Sequence, residues 1–296
     1  MYSKCMLCPR ECKVNRANGE IGFCGASDKM EIGRASLHHW EEPSISGTNG
    51  SGTVFFAHCT LGCVYCQNRS ISCRHSKSVF VDENKLSEIF LDLQQKNAHN
   101  INLVTAVHYT PSVCKAIDLA KQKGLYIPVL LNCGGYEKTE TIKLFDKKID
   151  IYLPDFKYYS GYYAEKYSNA VDYLEVCEKA IDEMVKQTGK PIFNKDSILQ
   201  KGTVIRHLML PNMLSDTKQV LRRIAENWGD NVLVSLMRQY TPFDMQNFPE
   251  LNRKITDYEY NEGVEYFEML GLSGYRQEGE AATESFIPEF NGEGIK

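Results

Sequence analysis

The chain has no apolar run long enough to cross a membrane and no apolar leader after Met1-Tyr2-Ser3-Lys4, so neither a membrane anchor nor a secretory signal is expected. It also lacks a basic excess. A net charge of -4 at pH 7 gives no broad positive field, which sets nucleic acid aside as a default partner. A disulfide framework is excluded as well, because the cysteines number 11, an odd count crowded toward the front. The expectation is a reducing cytoplasm, where such thiols bind metal or stay reduced. With 43% hydrophobic and 24% charged residues, the composition fits one large folded domain with appendages rather than disorder.

What the chain does have is a dense run of thiols. Cys59-Thr60-Leu61-Gly62-Cys63-Val64-Tyr65-Cys66 follows directly on the apolar stretch Thr53-Val54-Phe55-Phe56-Ala57. A 4Fe–4S cubane usually takes four thiolates, so a run of only three leaves one iron for another ligand. The close spacing lets a short loop wrap one cluster, and Gly62 allows the backbone to pass near it. Two other readings stand beside this one. The thiols could belong to a zinc site with His58 as fourth ligand, or they could be inert buried cysteines.

A second group lies at the front, where Cys5, Cys8, Cys12 and Cys24 fall within about twenty residues rich in glycine and charge. Four thiols would fill a tetrahedral zinc site or saturate a second iron–sulfur cluster, with no position left for substrate. Asn15-Arg16, Gly19 and Gly22 read as turns between these ligands. The stretch 31–50, with His38, His39 and Trp40, passes into a Ser/Gly/Asn loop. Its histidines read as packing or surface residues.

From residue 53 onward short apolar runs alternate with helical patterns. Strands are expected at 53–57, 101–107, 126–131, 149–153, 203–209 and 231–237, and helices at about 83–97, 112–123, 138–146, 170–188, 215–228 and 256–270. Pro111 starts one helix, Gly124, Gly189 and Gly229 follow others, and Ser215 reads as an N-cap. Such alternation implies right-handed crossovers and a parallel sheet. Six repeats fit an α/β partial TIM barrel, (β/α)6, and the count alone also fits a doubly wound sheet. The cysteine loop at the end of the first strand, with polar residues at later strand ends, favours the barrel. The expected division is a Cys-rich segment at 1–50, the partial barrel at 51–243, and a C-terminal helix and tail at 244–296. The tyrosines at 158, 159, 162, 163 and 167 would line a substrate mouth or shelter a loop. Cys114 and Cys177 read as small core residues, and Cys73 and Cys133 lack ligand spacing.

The C-x3-C-x2-C run with its aromatic before the last cysteine resembles the radical SAM signature. Cys5-x2-Cys8-Pro9-Arg10, the segment Val104 to Pro111, Asn132-Cys133-Gly134-Gly135, Pro154-Asp155-Phe156-Lys157 and Arg206-His207-Leu208 extend the likeness along nearly the whole chain. Together they resemble the branch related to pyruvate formate-lyase activating enzymes. The resemblance implies a 4Fe–4S cluster on Cys59, Cys63 and Cys66, with S-adenosylmethionine (SAM) on the open iron. It also implies a reductant such as flavodoxin or ferredoxin, and hydrogen abstraction from a substrate that could be a protein. Asp155, Lys157 and Arg206 match positions of the SAM environment. The family's Gly-Gly-Glu segment is absent here; Thr105 to Thr110 occupies its place, with Thr105, His108 and Thr110 as candidates for its contacts and Asn132 for a ribose. Modification of a small molecule or peptide, and a non-catalytic iron–sulfur or zinc protein, are the alternatives.

Overall fold

The computed structural model of the 296-residue chain describes residues 1–72, 78–243, 245–277 and 289–295. The elements, in chain order, are β1 (Met30–His38), α1 (Pro43–Ser46), β2 (Ser51–Phe56), α2 (Arg69–Ser72), β3 (Val79–Val81), α3 (Glu83–Gln95), β4 (Ile101–Val104), α4 (Thr110–Gln122), β5 (Val129–Cys133), α5 (Thr139–Lys143), β6 (Ile151–Pro154), α6 (Gly161–Ser168), α7 (Tyr173–Thr188), β7 (Ile192–Phe193), β8 (Leu199–Leu208), α8 (Leu214–Asn227), β9 (Leu233–Met237), α9 (Asp257–Met269) and β10 (Gly274–Arg276). The sheet runs β10-β9-β8-β6-β5-β4-β2-β1-β3 and is not closed, while β7 pairs with β8 beside this path. From β2 to β10 all neighbours on the path are parallel. β1 runs antiparallel to β2 and to β3. The architecture is a partial TIM barrel, with the six expected parallel strands present and β10 added at one edge.

Alternation along the strands divides the sheet into two faces. Leu131, Tyr152 and Ile205 join the large core that also takes in the helices, whereas Leu130, Ile151, Leu153 and Val204 form a separate cluster with Ile45. Ile45 belongs to α1. The segment expected to be a loop by composition therefore plugs the inner face of the barrel.

Several sequence expectations need correction. The strand expected at 101–107 ends at Val104, and a tight helical turn over Val107–Tyr109 leads into α4. Ser215 is not an N-cap: α8 begins at Leu214, Met213 holds the N-cap position without a side-chain hydrogen bond, and Ser215 lies inside the helix. The stretch 31–50 carries β1 and α1. The alternation of β1 is broken by a register shift between Ile32 and Arg34, the local mark of a bulge, which moves later side chains to the other face. The start of the expected tail at 284–288, and Cys73, lie outside the described residues. The tail's last part is held to β1: Ala35 N donates to Glu293 O (2.9 Å), Gly292 N to Gly33 O (3.0 Å), and Phe290 packs edge-on against Phe55 at 5.3 Å.

Candidate active site

The parallel strands end on one side of the sheet, where a cavity of about 230 Å³ opens. β2 delivers Phe55 and then the loop bearing Cys59, Cys63 and Cys66. β4 delivers Val104 and Thr105, β5 gives Asn132, and β6 leads into Asp155 and Lys157. β8 carries Arg206, and β9 ends at Met237. All three thiols of the loop line this cavity.

The three sulfurs are furnished with donors. Leu61 N lies 3.4 Å from Cys59 Sγ, Ser168 Oγ 3.0 Å from Cys63 Sγ, and Ser72 Oγ 3.5 Å from Cys66 Sγ. Burial pushes the Cys59 thiol up to about 12, and the neighbouring Cys66 and Cys63 add to the shift. Cys66 is raised by burial and by Cys63. Three thiolates cannot share this pocket without a positive centre to offset burial and repulsion. That donor set, sulfur only and half-buried at a cavity wall, suits an iron–sulfur cluster. Among the described residues, no set of three His, Cys, Asp or Glu side chains is arranged to hold a single metal ion. His58 is turned toward β1, its Nε2 3.1 Å from Glu31 Oε1, while its Nδ1 is buried without a hydrogen-bond partner.

The loop is held from the front of the chain. Arg10 bonds Thr60 O (3.1 Å), Leu61 O (3.3 Å), Ser168 O (2.9 Å) and Asn169 O, and it stacks over Phe23 at 4.1 Å and Tyr136 at 5.0 Å. Cys5, Cys8, Cys12 and Cys24 belong to the same front segment as Arg10. Cys5 and Cys8 are buried, tied by Cys5 N to Val14 O and Lys13 N to Cys5 O, both 2.9 Å. Cys12 Sγ accepts from Phe23 N at 3.3 Å. Burial raises Cys8 to about 12, with Cys24 and Cys12 among the smaller contributors; Cys24 is likewise raised by burial and feels Cys5 and Cys12. Among the described residues, no three of these thiols are arranged to hold a single metal ion. Arg16, read from sequence as part of a turn, is 1% exposed; it bonds His108 O (2.6 Å) and Ser27 O (3.1 Å).

Asp155 anchors the charged side of the cavity. Its carboxylate meets Lys157 Nζ at 2.7 Å and Arg206 Nε at 3.1 Å. Arg206 also meets Glu41 Oε2 at 3.2 Å and Asn132 Oδ1 at 2.6 Å. Glu41 in turn accepts from Asn102 Nδ2 at 2.8 Å. Burial alone would raise the Asp155 carboxyl, but Lys157 and Arg206 outweigh it and hold the group below its ordinary value. Asp155 and Lys157 are therefore a buried pair and not a solvated one. His207, next to Arg206, points to the opposite face, bonding Phe156 O (2.7 Å) and Thr217 Oγ1 (2.9 Å).

Thr105 lines the cavity with φ of 61°. His108 and Thr110, candidates from the sequence, do not line it. Because β4 stops at Val104, the following turn carries both under the sheet. His108 Nε2 lies 3.0 Å from Ala57 O, burial brings its imidazole down to about 3, and Thr110 Oγ1 donates to Val107 O at 2.5 Å. Their role is to fix the turn. The structure adds His38, Trp40, Glu41 and Glu137 to the cavity wall. The first three arrive on the bulged strand β1 and the plug behind it. Glu137 follows Gly134-Gly135; it is raised to about 8 by burial, against a backbone hydrogen bond from Gly134. Of the five tyrosines at 158–167, none lines the cavity; Tyr158, through Tyr65 Oη at 2.7 Å, and Tyr167, whose carbonyl accepts from Val64 N at 2.9 Å, hold the cysteine loop from behind, and Tyr162 is exposed.

No family model matches the chain. An uncharacterised protein of Methanocaldococcus jannaschii is 27% identical over 284 residues, covering 92% of this chain and 76% of its own length. Among solved structures, HydG, a maturase of the FeFe-hydrogenase, aligns with TM-score 0.53 at 13% identity over 79% of this chain and 54% of its own. Streptococcus suis SuiB, solved with the precursor peptide SuiA, aligns with TM-score 0.50 at 10% identity over 77% of this chain and 48% of its own. The chain spans about half the length of these two. What they share with it is the fold, an open barrel of parallel strands alternating with helices.

Proposed function

We propose that this chain is a radical SAM enzyme, with Cys59, Cys63 and Cys66 as ligands of a 4Fe–4S cluster. The observation that carries the reading is the convergence of the three loop thiols, at the end of the first parallel strand, on a cavity that also holds Cys133, Lys157, Arg206, Asp155 and Asn132. When bound, such a cluster supplies the electron that splits SAM into methionine and a 5′-deoxyadenosyl radical. The protein's part is to bind, orient and exclude water. Asp155, gripped by two cations, fixes Lys157 and Arg206 at the cavity wall, with Arg206 giving one bond each to Asp155, Glu41 and Asn132. Asn132 is itself held by Arg206, so its amide is oriented for a ribose hydroxyl. Phe55, Leu61 and Tyr65 supply the apolar wall that shields a radical from solvent.

The same reading gives the chain a cytoplasmic setting and a flavodoxin or ferredoxin as reductant; among the described residues no helix is long and apolar enough to cross a membrane. Cys5, Cys8, Cys12 and Cys24 are assigned as ligands of a second centre, zinc or iron–sulfur, supported by four thiols falling within one short front segment. Activation of a partner protein through a glycyl radical is the substrate reading that the sequence resemblance favours. Modification of a small molecule or peptide is its rival.

The test is anaerobic reconstitution with iron and sulfide, reduction, and addition of SAM. Formation of 5′-deoxyadenosine by the wild type and its loss in Cys59→Ala are expected; no product above a no-protein control would exclude the reading. Metal analysis of the Cys59, Cys63 and Cys66 triple Ala variant then decides the second centre. Residual iron with sulfide marks a cluster, residual zinc a structural site, and no metal removes the assignment.

A further inference from the structure

Behind the cysteine loop three buried hydroxyls stand in line. Ser168, the last residue of α6, places Oγ 3.0 Å from Cys63 Sγ. Tyr158 Oη lies 2.8 Å from Ser168 Oγ and 2.7 Å from Tyr65 Oη. Exposure is 1% at Ser168, 0% at Tyr158 and 4% at Tyr65, so water does not compete for these bonds. Each hydroxyl has one proton, and a thiolate only accepts. In the structure Tyr158 Oη donates to Tyr65 Oη; once Cys63 is a thiolate Ser168 gives its single proton to the sulfur, and single donors in line then require Tyr158 to turn its proton to Ser168 and Tyr65 to give to Tyr158. Each donor polarises the next in a low-dielectric interior. The line is also held rigid, because Tyr65 belongs to the cysteine loop and Val64 N donates to Tyr167 O at 2.9 Å.

We infer that Ser168, polarised by Tyr158 and Tyr65, is a positioning residue that sets the reduction potential of the cluster at Cys59, Cys63 and Cys66. A donor to a ligand sulfur stabilises the reduced cluster, which carries more negative charge, more than the oxidised one. The line therefore holds the potential higher than apolar packing alone would, within easier reach of a cellular one-electron donor. This inference rests on the radical SAM reading.

The experiment is a redox titration of the anaerobically reconstituted full chain, followed by electron paramagnetic resonance of the reduced cluster, with iron and acid-labile sulfide counted in each sample. Ser168→Ala removes the direct donor and shifts the midpoint to more negative potential. Tyr158→Phe keeps that donor but removes its polarisation, and shifts the midpoint the same way by less. Tyr163→Phe, on the same helix but outside the line, leaves it in place. A Ser168→Ala protein with full iron and sulfide and an unmoved midpoint overturns the inference. Should that variant fail to hold a cluster, Tyr158→Phe decides alone, and an unmoved midpoint there overturns it equally. Wild-type protein that takes up no iron and sulfide fails the radical SAM reading instead.

Discussion

Replacing Asp155 with Asn keeps the shape of the side chain and removes its charge. In the wild type that carboxylate meets Lys157 at 2.7 Å and Arg206 at 3.1 Å, with side chains only 14% and 18% exposed for Lys157 and Asp155. Removing one member of a buried ionic group costs about 3–5 kcal/mol, because the partners stay behind uncompensated. Arg206 keeps Glu41 at 3.2 Å, so the loss falls on Lys157 and the lower end applies, about 3 kcal/mol. With a urea slope of roughly 3 kcal/mol per molar, the unfolding midpoint drops by about 1 M. A second change, Lys157→Met, removes the orphaned cation and recovers part of the loss. The pH dependence has a definite sign. A carboxyl held below its ordinary value in the folded state stabilises fully above that value and stops doing so as pH falls through the folded value. The gap between wild type and Asp155→Asn is then constant from pH 7 to 5 and closes below about pH 4. Equal midpoints at pH 7, or a gap that widens on acidification, would refute the reasoning.

Arg10→Lys replaces a planar fork that holds four carbonyls by a single ammonium; a loss of about 2–3 kcal/mol and faster amide exchange across 59–66, with α3 unchanged, are expected from hydrogen–deuterium exchange. Glu259 is held at about 2, chiefly by Arg253 and then by the backbone of Thr256 and Asn212, and it closes a capping box with Thr256. Glu259→Gln lowers stability by about 1 kcal/mol at neutral pH, a difference fully present above about pH 4.5 and shrinking as pH falls toward 2, read from denaturation midpoints. Gly135→Ala would put a Cβ 2.0 Å from Asp155 O at a φ of 79°, costing about 3 kcal/mol or more. Gly124→Ala, with φ of 101° but open space, costs only about 1 kcal/mol; thermal midpoints separate the two.

The barrel was legible because its signals are local. Each parallel strand is a short apolar run bounded by turns, and strand ends carry the polar residues, so Asp155, Lys157, Asn132 and Arg206 could be picked one by one and are brought to a single cavity. The entry over β1 and α1 was not legible for a physical reason. A register shift near Gly33 breaks the two-residue rhythm, and α1 is four residues long with Pro43 at its start. His38, Trp40 and Glu41 were hidden with it. His108 and Thr110 misled because strand length alone decides which face they take, and Val104 ends the strand three residues early. Tyr158 stood out only as one of five clustered tyrosines, and Ser168 gave no sequence signal at all: 105 residues separate it from Cys63, and only the docking of α6 behind the loop joins them.

Central to the proposed activity is an iron left open by Cys59, Cys63 and Cys66 at the wall of the cavity that Asn132, Asp155, Lys157 and Arg206 also line. The most direct measurement is electron paramagnetic resonance of the reduced, anaerobically reconstituted protein, recorded with and without SAM. The account predicts a cluster signal that depends on Cys59, Cys63 and Cys66 and changes shape on adding SAM. A protein loaded with zinc at these residues, or a cluster signal indifferent to SAM, would contradict it.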